Sequence, residues 1–319
     1  MFMPIFNQML FLFAFIAIGF ILSKGKFVPD NSEKVLSRLE NYIFMPALVM
    51  GTFIENCTFE KLRSAWGLLL FSCIALLVII FLSVLSSRLL FKDKFVKKIA
   101  TYGLAFSNFA FMGNAIIKSV VFPDIFFEYT VFCLPIWFAI YLWGVPALLI
   151  AEDRENGQRR SFREVIKPFV NPMLIGMLIG LVIGLTQLQL PSAILSVINV
   201  SGTCMSPVAM LLTGMTVAKI DVMALVKQWR IYVVSAVKLL VFPLLYIAVV
   251  MWLPQSSIVS ETALTCGICF ACMPVGLNSI VVPAAYGRDT TVASGMALIT
   301  HILSVGTIPL MFMLFQYLV

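Results

Sequence analysis

Two short stretches carry residue types for which an apolar chain has little other use. In Cys269–Gly287 a proline, a glycine and an asparagine fall within five residues: Pro274, Gly276 and Asn278. Proline removes a backbone donor, glycine tolerates dihedrals closed to other residues, and asparagine supplies both a donor and an acceptor. Far upstream, Ser107–Asn114 reads SNFAFMGN and holds Asn108, Gly113 and Asn114. An apolar helix broken at such a place offers unpaired N–H groups and carboxamide donors to a ligand. Those donors suit a carboxylate, whose bare transfer out of water is very costly. The bland reading stays open beside this one: the asparagines satisfy loosened carbonyls or join helices.

Four further positions invite a role in support or gating. Lys238 is the one charge deep within an apolar run, IYVVSAVKLLVFPLL. It can neutralise an anion or take part in proton coupling, or its ammonium can bond carbonyls freed at a helix break. Support of the break is favoured over direct substrate contact. His301, the sole histidine, lies near Thr300 and Ser304 and is either a titrating group or a hydrogen-bonded packing residue. Pro46 and Pro207 kink their segments, as gates or as simple curvature. Cys266, Cys269 and Cys272 recur every three residues without convincing further ligands, so they read as packing and no metal is expected. Gly176, Gly180 and Gly184 allow close helix approach and carry no chemistry.

The elements that must position these residues are membrane helices. Of 319 residues 61% are hydrophobic and 12% charged, where a soluble domain has about 25%. Mean hydropathy is +1.03. Apolar segments run roughly over 5–22, 35–54, 65–87, 100–121, 127–150, 168–187, 192–217, 230–252, 262–284 and 292–318, each near the ~20 residues that cross hydrocarbon. The first has no basic n-region and no cleavage site, and reads as a span rather than a signal peptide. Ten transmembrane helices are expected, all-α. The net charge of +7 does not point to nucleic acid, because 18 of the 22 Lys and Arg residues lie in the odd-numbered connections. The positive-inside rule puts those connections in the cytoplasm and both termini outside.

The polar stretch Glu152–Glu164 divides the chain almost in half. The expected organisation is a first five-helix repeat over 1–155, a cytoplasmic connection over 156–165 and a second, inverted five-helix repeat over 166–319. An offset of 161 residues brings Gly19 onto Gly180, Pro46 onto Pro207 and Met112 onto Met273. Paired interruptions in two inverted halves are the sequence pointer to a transporter's binding site. No G-x-x-x-x-G-K-[ST] and no H-E-x-x-H occurs. One histidine and no acid expected deep in a span leave little general acid–base equipment for an enzyme. The same absence weakens carboxylate-based proton or sodium coupling, leaving uniport or coupling through the substrate's own protonation open. No cofactor is expected. A carboxylate sensor without net transport is the alternative, and it would need an output domain.

Several segments together resemble the auxin efflux carrier family, whose bacterial members include malate and malonate permease-like proteins. They are IAIGFILSKGKF (16–27), LENYIFMPALVMGTF (39–53), PFVNPMLIGMLIGLVIGL (168–185), SPVAMLLTGMTVA (206–218), VKLLVFPLL (237–245) and MPVGLNSIVVPAAYGRDTTVASGMALITHILSVGTIPL (273–310). The resemblance implies ten helices in two inverted repeats, with helices 4 and 9 broken and crossing near the membrane midplane, as in bile-acid transporter and sodium–proton antiporter folds. It implies a substrate class of organic anions and, from plant members that export indole-3-acetate, a homodimer. One departure stands out. The family's Phe-x-Gly motif is soon followed by proline, whereas Gly113 is followed by Asn114, Ala115 and Ile116. A break here must rest on Gly113 and asparagine side chains, or the helix is only wound looser.

Overall fold

A computed structural model describes residues 2–117, 125–149, 172–219, 228–280 and 291–319. Among them the regular structure is helical, with one isolated antiparallel β-bridge between Ser107 and Val275. The first helix, α1 (Phe2–Lys24), is followed by α2 (Ser32–Leu39) and α3 (Met45–Asn56), joined through a π-helical turn over Glu40–Phe44. Beyond the short α4 (Phe59–Ser64) come α5 (Trp66–Leu90), α6 (Lys94–Ala105), α7 (Asn114–Ile116) and α8 (Phe126–Ala139). The remainder holds α9 (Pro172–Thr186), α10 (Ser192–Ala218), α11 (Trp229–Ala236), α12 (Phe242–Val250), α13 (Glu261–Cys272) and α14 (Thr291–Leu318).

Proline placement accounts for most of the loosened turns. A proline inside a helix cannot donate to the carbonyl four residues back, and its ring crowds that carbonyl. Slipping to a five-residue hydrogen bond relieves both problems. Pro46 follows the π-turn Glu40–Phe44, where the Met45 N–H donates to the Glu40 carbonyl. Pro243 follows Val237–Val241, where the Phe242 N–H donates to Val237. Pro146 lies inside the π stretch Ile140–Leu149. Pro207, by contrast, sits within the unbroken α10.

The helices gather into two packed groups. In one, α1 and α3 pack against α10, and α3 also packs against α9. Glycines bring these backbones together. An added Cβ at Gly176 would lie 2.8 Å from the Pro46 carbonyl oxygen, and one at Gly180 would lie 2.6 Å from that of Met50. Gly184 abuts the Phe53 carbonyl, while Gly19 and Gly214 meet the Leu211 and Ile16 carbonyls across α1 and α10. The other group joins α5, α6 and α8 with α11 to α14, and α14 also touches α1. On α5 the side chains of Leu77, Phe81 and Leu89 are exposed by 67%, 67% and 78%, an apolar face suited to hydrocarbon.

The expectation of ten spanning helices in a five-plus-five inverted repeat is corrected by this architecture. Among the described residues five helices are long and apolar enough to cross a membrane: Met3–Lys24, Trp66–Leu90, Ser192–Ala218, Trp229–Val250 and Thr291–Leu318. A sixth is reached if Phe126–Ala139 and Leu142–Leu149, bent by 42°, count as one. No clear inverted repeat emerges from them. The reason is physical: length of apolar run does not distinguish one continuous helix from two pieces. The runs at 100–121 and 262–284 are interrupted by extended chain, and α9 and α13 have only 15 and 12 described residues. The expected connection at 156–165, and with it the boundary between halves, lies outside the described residues.

The glycine contacts give a direct test. Gly180→Leu must push α9 off the α3 backbone and should cost about 1–3 kcal/mol of stability, read as a lower melting temperature in detergent. Gly306→Leu, at a position with nothing within 4 Å, should leave melting unchanged.

Candidate functional site

Both interrupted segments begin as well-capped helices. The Asp93 carboxylate accepts from the Val96 N–H at 2.8 Å to start α6, and the Ser260 hydroxyl accepts from Ala263 at 3.2 Å to start α13. Both helices then stop inside the protein, at Ala105 and Cys272, and run on as extended chain. The two extended pieces pair with each other. The Asn108 N–H donates to the Pro274 carbonyl at 2.7 Å, and the Gly276 N–H donates to Phe106 at 3.1 Å. Gly276 is the residue that permits this approach, since a Cβ there would lie 3.0 Å from the Phe106 carbonyl oxygen. The remaining Val275 N–H goes to the Thr300 hydroxyl at 3.3 Å.

The upstream segment therefore breaks without the family's proline. Its chain resumes as a π-turn, Phe109–Gly113, in which the Asn108 carbonyl accepts from both Met112 and Gly113. Gly113 has a packing reason to be glycine: its Cα faces the hydroxyl of buried Tyr129, which itself donates to the Phe109 carbonyl at 3.2 Å. Backbone pairing with the second segment, rather than proline, holds the break open.

Lys238 sits behind the crossing, fully buried. Its ammonium donates to the Leu104 carbonyl at 3.1 Å and to the Ser107 hydroxyl at 2.6 Å, and lies 5.7 Å from the centre of the Phe270 ring. Ser107 in turn donates to the Phe270 carbonyl at 2.7 Å. Leu104 and Phe270 lie in the last turns of α6 and α13, where carbonyls lack helical partners. One cation thus serves the negative ends of two helices that stop at the same place.

His301 reaches the site as well. Its Nδ1 lies 2.7 Å from the Ala297 carbonyl, so Nδ1 carries the proton there, and Nε2 accepts from the Asn108 carboxamide at 2.9 Å. The histidine fixes which way Asn108 points.

A cavity of about 20 Å³ lies at the crossing, bounded by Ser107, Asn108, Phe109, Gly276, Asn278 and Asn41, with the aromatic walls of Tyr102, Phe106 and Trp137. A second of about 20 Å³ adjoins it, sharing Asn41, Phe111, Leu277 and Asn278. The structure therefore brings Asn108, Gly276 and Asn278 together. Pro274 contributes a bridge carbonyl, while Gly113 and Asn114 do not line these cavities. Pro46 lies next to lining residue Met45 in the chain, and Pro207 does not line the cavities. Asn278 is half-buried and its side chain makes no hydrogen bond among the described residues. Asn41, whose amide donates to the Ser37 carbonyl at 2.7 Å, was not a sequence candidate. The signal was present: Glu40 and Asn41 are adjacent polar residues inside an apolar run. Glu40 itself has no exposure in the folded protein. Its position near the start of the run hid it.

Removing the cation tests its structural role. Lys238→Met strips a donor from Leu104 and from Ser107 and should cost about 1–3 kcal/mol, seen as lower thermal stability in detergent. In combination with Ser107→Ala the loss should fall short of the sum, since both groups act in one network.

No curated protein matches the chain in sequence. Residues 4–312 match the family described as membrane transport protein. With nearly the whole length matched, the chain belongs to this membrane transport protein family, that of the auxin efflux carriers.

Proposed function

We propose that this membrane transport protein is a secondary transporter of small organic anions, carboxylates such as malate, malonate or auxin-like acids, working by alternating access around the crossing. The observation that carries the reading is the cavity between two interrupted helices, walled by the carboxamides of Asn41, Asn108 and Asn278. Amide donors around the cavity replace the water that a carboxylate gives up. At about 20 Å³ the cavity has room for about one water. A dicarboxylate enters only when the walls part, which is the behaviour alternating access requires. Direct contacts come from Asn108, Asn278 and the backbone beside Gly276, with Pro274, Gly113 and Asn114 shaping the two breaks. Lys238 and His301 hold that geometry from behind, and Pro46 and Pro207 bend the helices around it.

The exposed apolar faces fit membrane lipid, and the setting proposed is the cytoplasmic membrane. Basic residues follow the first span and precede the last, which puts both termini outside. A homodimer follows the family. Asn278 has no partner among the described residues and is the sharpest point of attack. In proteoliposomes with imposed pH gradients and membrane potentials, radiolabelled malate, malonate or indole-3-acetate should show saturable flux. Loss of a hydrogen bond to a charged group, about 1.5–3 kcal/mol, should lower that flux by about tenfold or more in Asn278→Ala. Undiminished flux in the variant would remove Asn278 from the site, and specific binding with no flux under any gradient would replace the carrier by a sensor.

A further inference from the structure

Glu40 opens the π-turn between α2 and α3 and is the one residue of Ser32–Ile43 that is fully buried. Neither of its carboxyl oxygens has a hydrogen-bond partner among the described residues. The π-turn that carries it packs against α9 and α10. The charged and titratable groups on those elements are few. On α2, Lys34 and Arg38 point to solvent, and Glu33 pairs with Lys219 at 2.7 Å. Within the π-turn Tyr42 is 69% exposed. On α3, Glu55 is exposed and accepts from Asn199 at 2.8 Å. The α10 helix carries only Cys204, and α9 carries no titratable side chain. No cation among the described residues faces this carboxyl.

An ionised carboxylate without water, donor or cation is among the least tolerable groups in a protein interior, and it takes up a proton instead. We propose that Glu40 is a proton-binding site, occupied in this conformation and emptied when α2 and the π-turn draw away from α9 and α10. The next residue, Asn41, lines both cavities at the crossing, so the movement that exposes Glu40 also moves a wall of the candidate substrate site. The sign follows from linkage. The conformation described here binds the proton and the opened one releases it, so acid favours this conformation and alkali favours the other.

The test does not depend on knowing the substrate. Infrared spectra of the protein in lipid vesicles at neutral pH should contain the carbonyl stretch of a protonated carboxylic acid that is lost in Glu40→Gln. Glu40→Asp should keep that band at a shifted frequency, so the assignment survives if the glutamine variant does not fold. Wild-type protein without the band, with a carboxylate signal lost in its place, would overturn the proposal. The consequence for transport rests on the carrier reading above and has its own arm. Flux driven by an imposed pH difference should fall in Glu40→Gln to the level set by membrane potential alone, and equal pH response in both proteins would remove Glu40 from coupling. A protonated Glu40 in a protein that moves none of the tested anions would count against the carrier reading and leave the proton site standing.

Discussion

Two backbone hydrogen bonds, one from Asn108 to Pro274 and one from Gly276 to Phe106, decide what the centre of this molecule can be. A helix that stops inside an apolar interior strands several donors and acceptors, and each unsatisfied group costs free energy. Here each break supplies the partners of the other. Neither segment could stay extended alone, so the interruptions are one feature distributed over residues some 160 positions apart. Lys238 completes the arrangement by serving the carbonyl ends of both helices, directly at Leu104 and through Ser107 at Phe270. Its burial is tolerable for the same reason that the breaks are: the charge replaces water with two fixed acceptors and an aromatic face.

The polar groups around the crossing then fall into two kinds. Ser107, Thr300, Lys238 and His301 are engaged with backbone or with each other and hold shape. Asn278 and Asn41 line both cavities. Asn108 belongs to both kinds, held by His301 on one side and lining the cavity on the other. A carrier site needs this division, because donors that must release a ligand cannot also be the ones that keep two helices from collapsing.

The residues at the crossing were legible in the sequence because proline, glycine and asparagine are poorly suited to an apolar helix and so announce an interruption. The pairing partner of each break was not legible, since a backbone bridge leaves no side-chain signature. Burial of Glu40 was hidden for a related reason: at the edge of a run, direction decides exposure, and a π-turn changes direction by one residue. The number of helices able to span was overstated because hydropathy registers composition and not continuity. The three glycines at four-residue spacing read correctly as a close helix contact, as the short distances from α9 to the α3 carbonyls show.

That glycine row constrains how the protein can move. Gly176, Gly180 and Gly184 each oppose a carbonyl of α3, at Pro46, Met50 and Phe53. Such a contact works like meshed teeth. A small slide would drive a neighbouring bulky side chain onto a carbonyl, and the next matching register lies about one helical pitch away, ~5.4 Å. Helices α3 and α9 therefore travel as one body. Rearrangement at the crossing must be taken up where packing has no such teeth, and the lead-in to α3 through its π-turn is the nearest such joint.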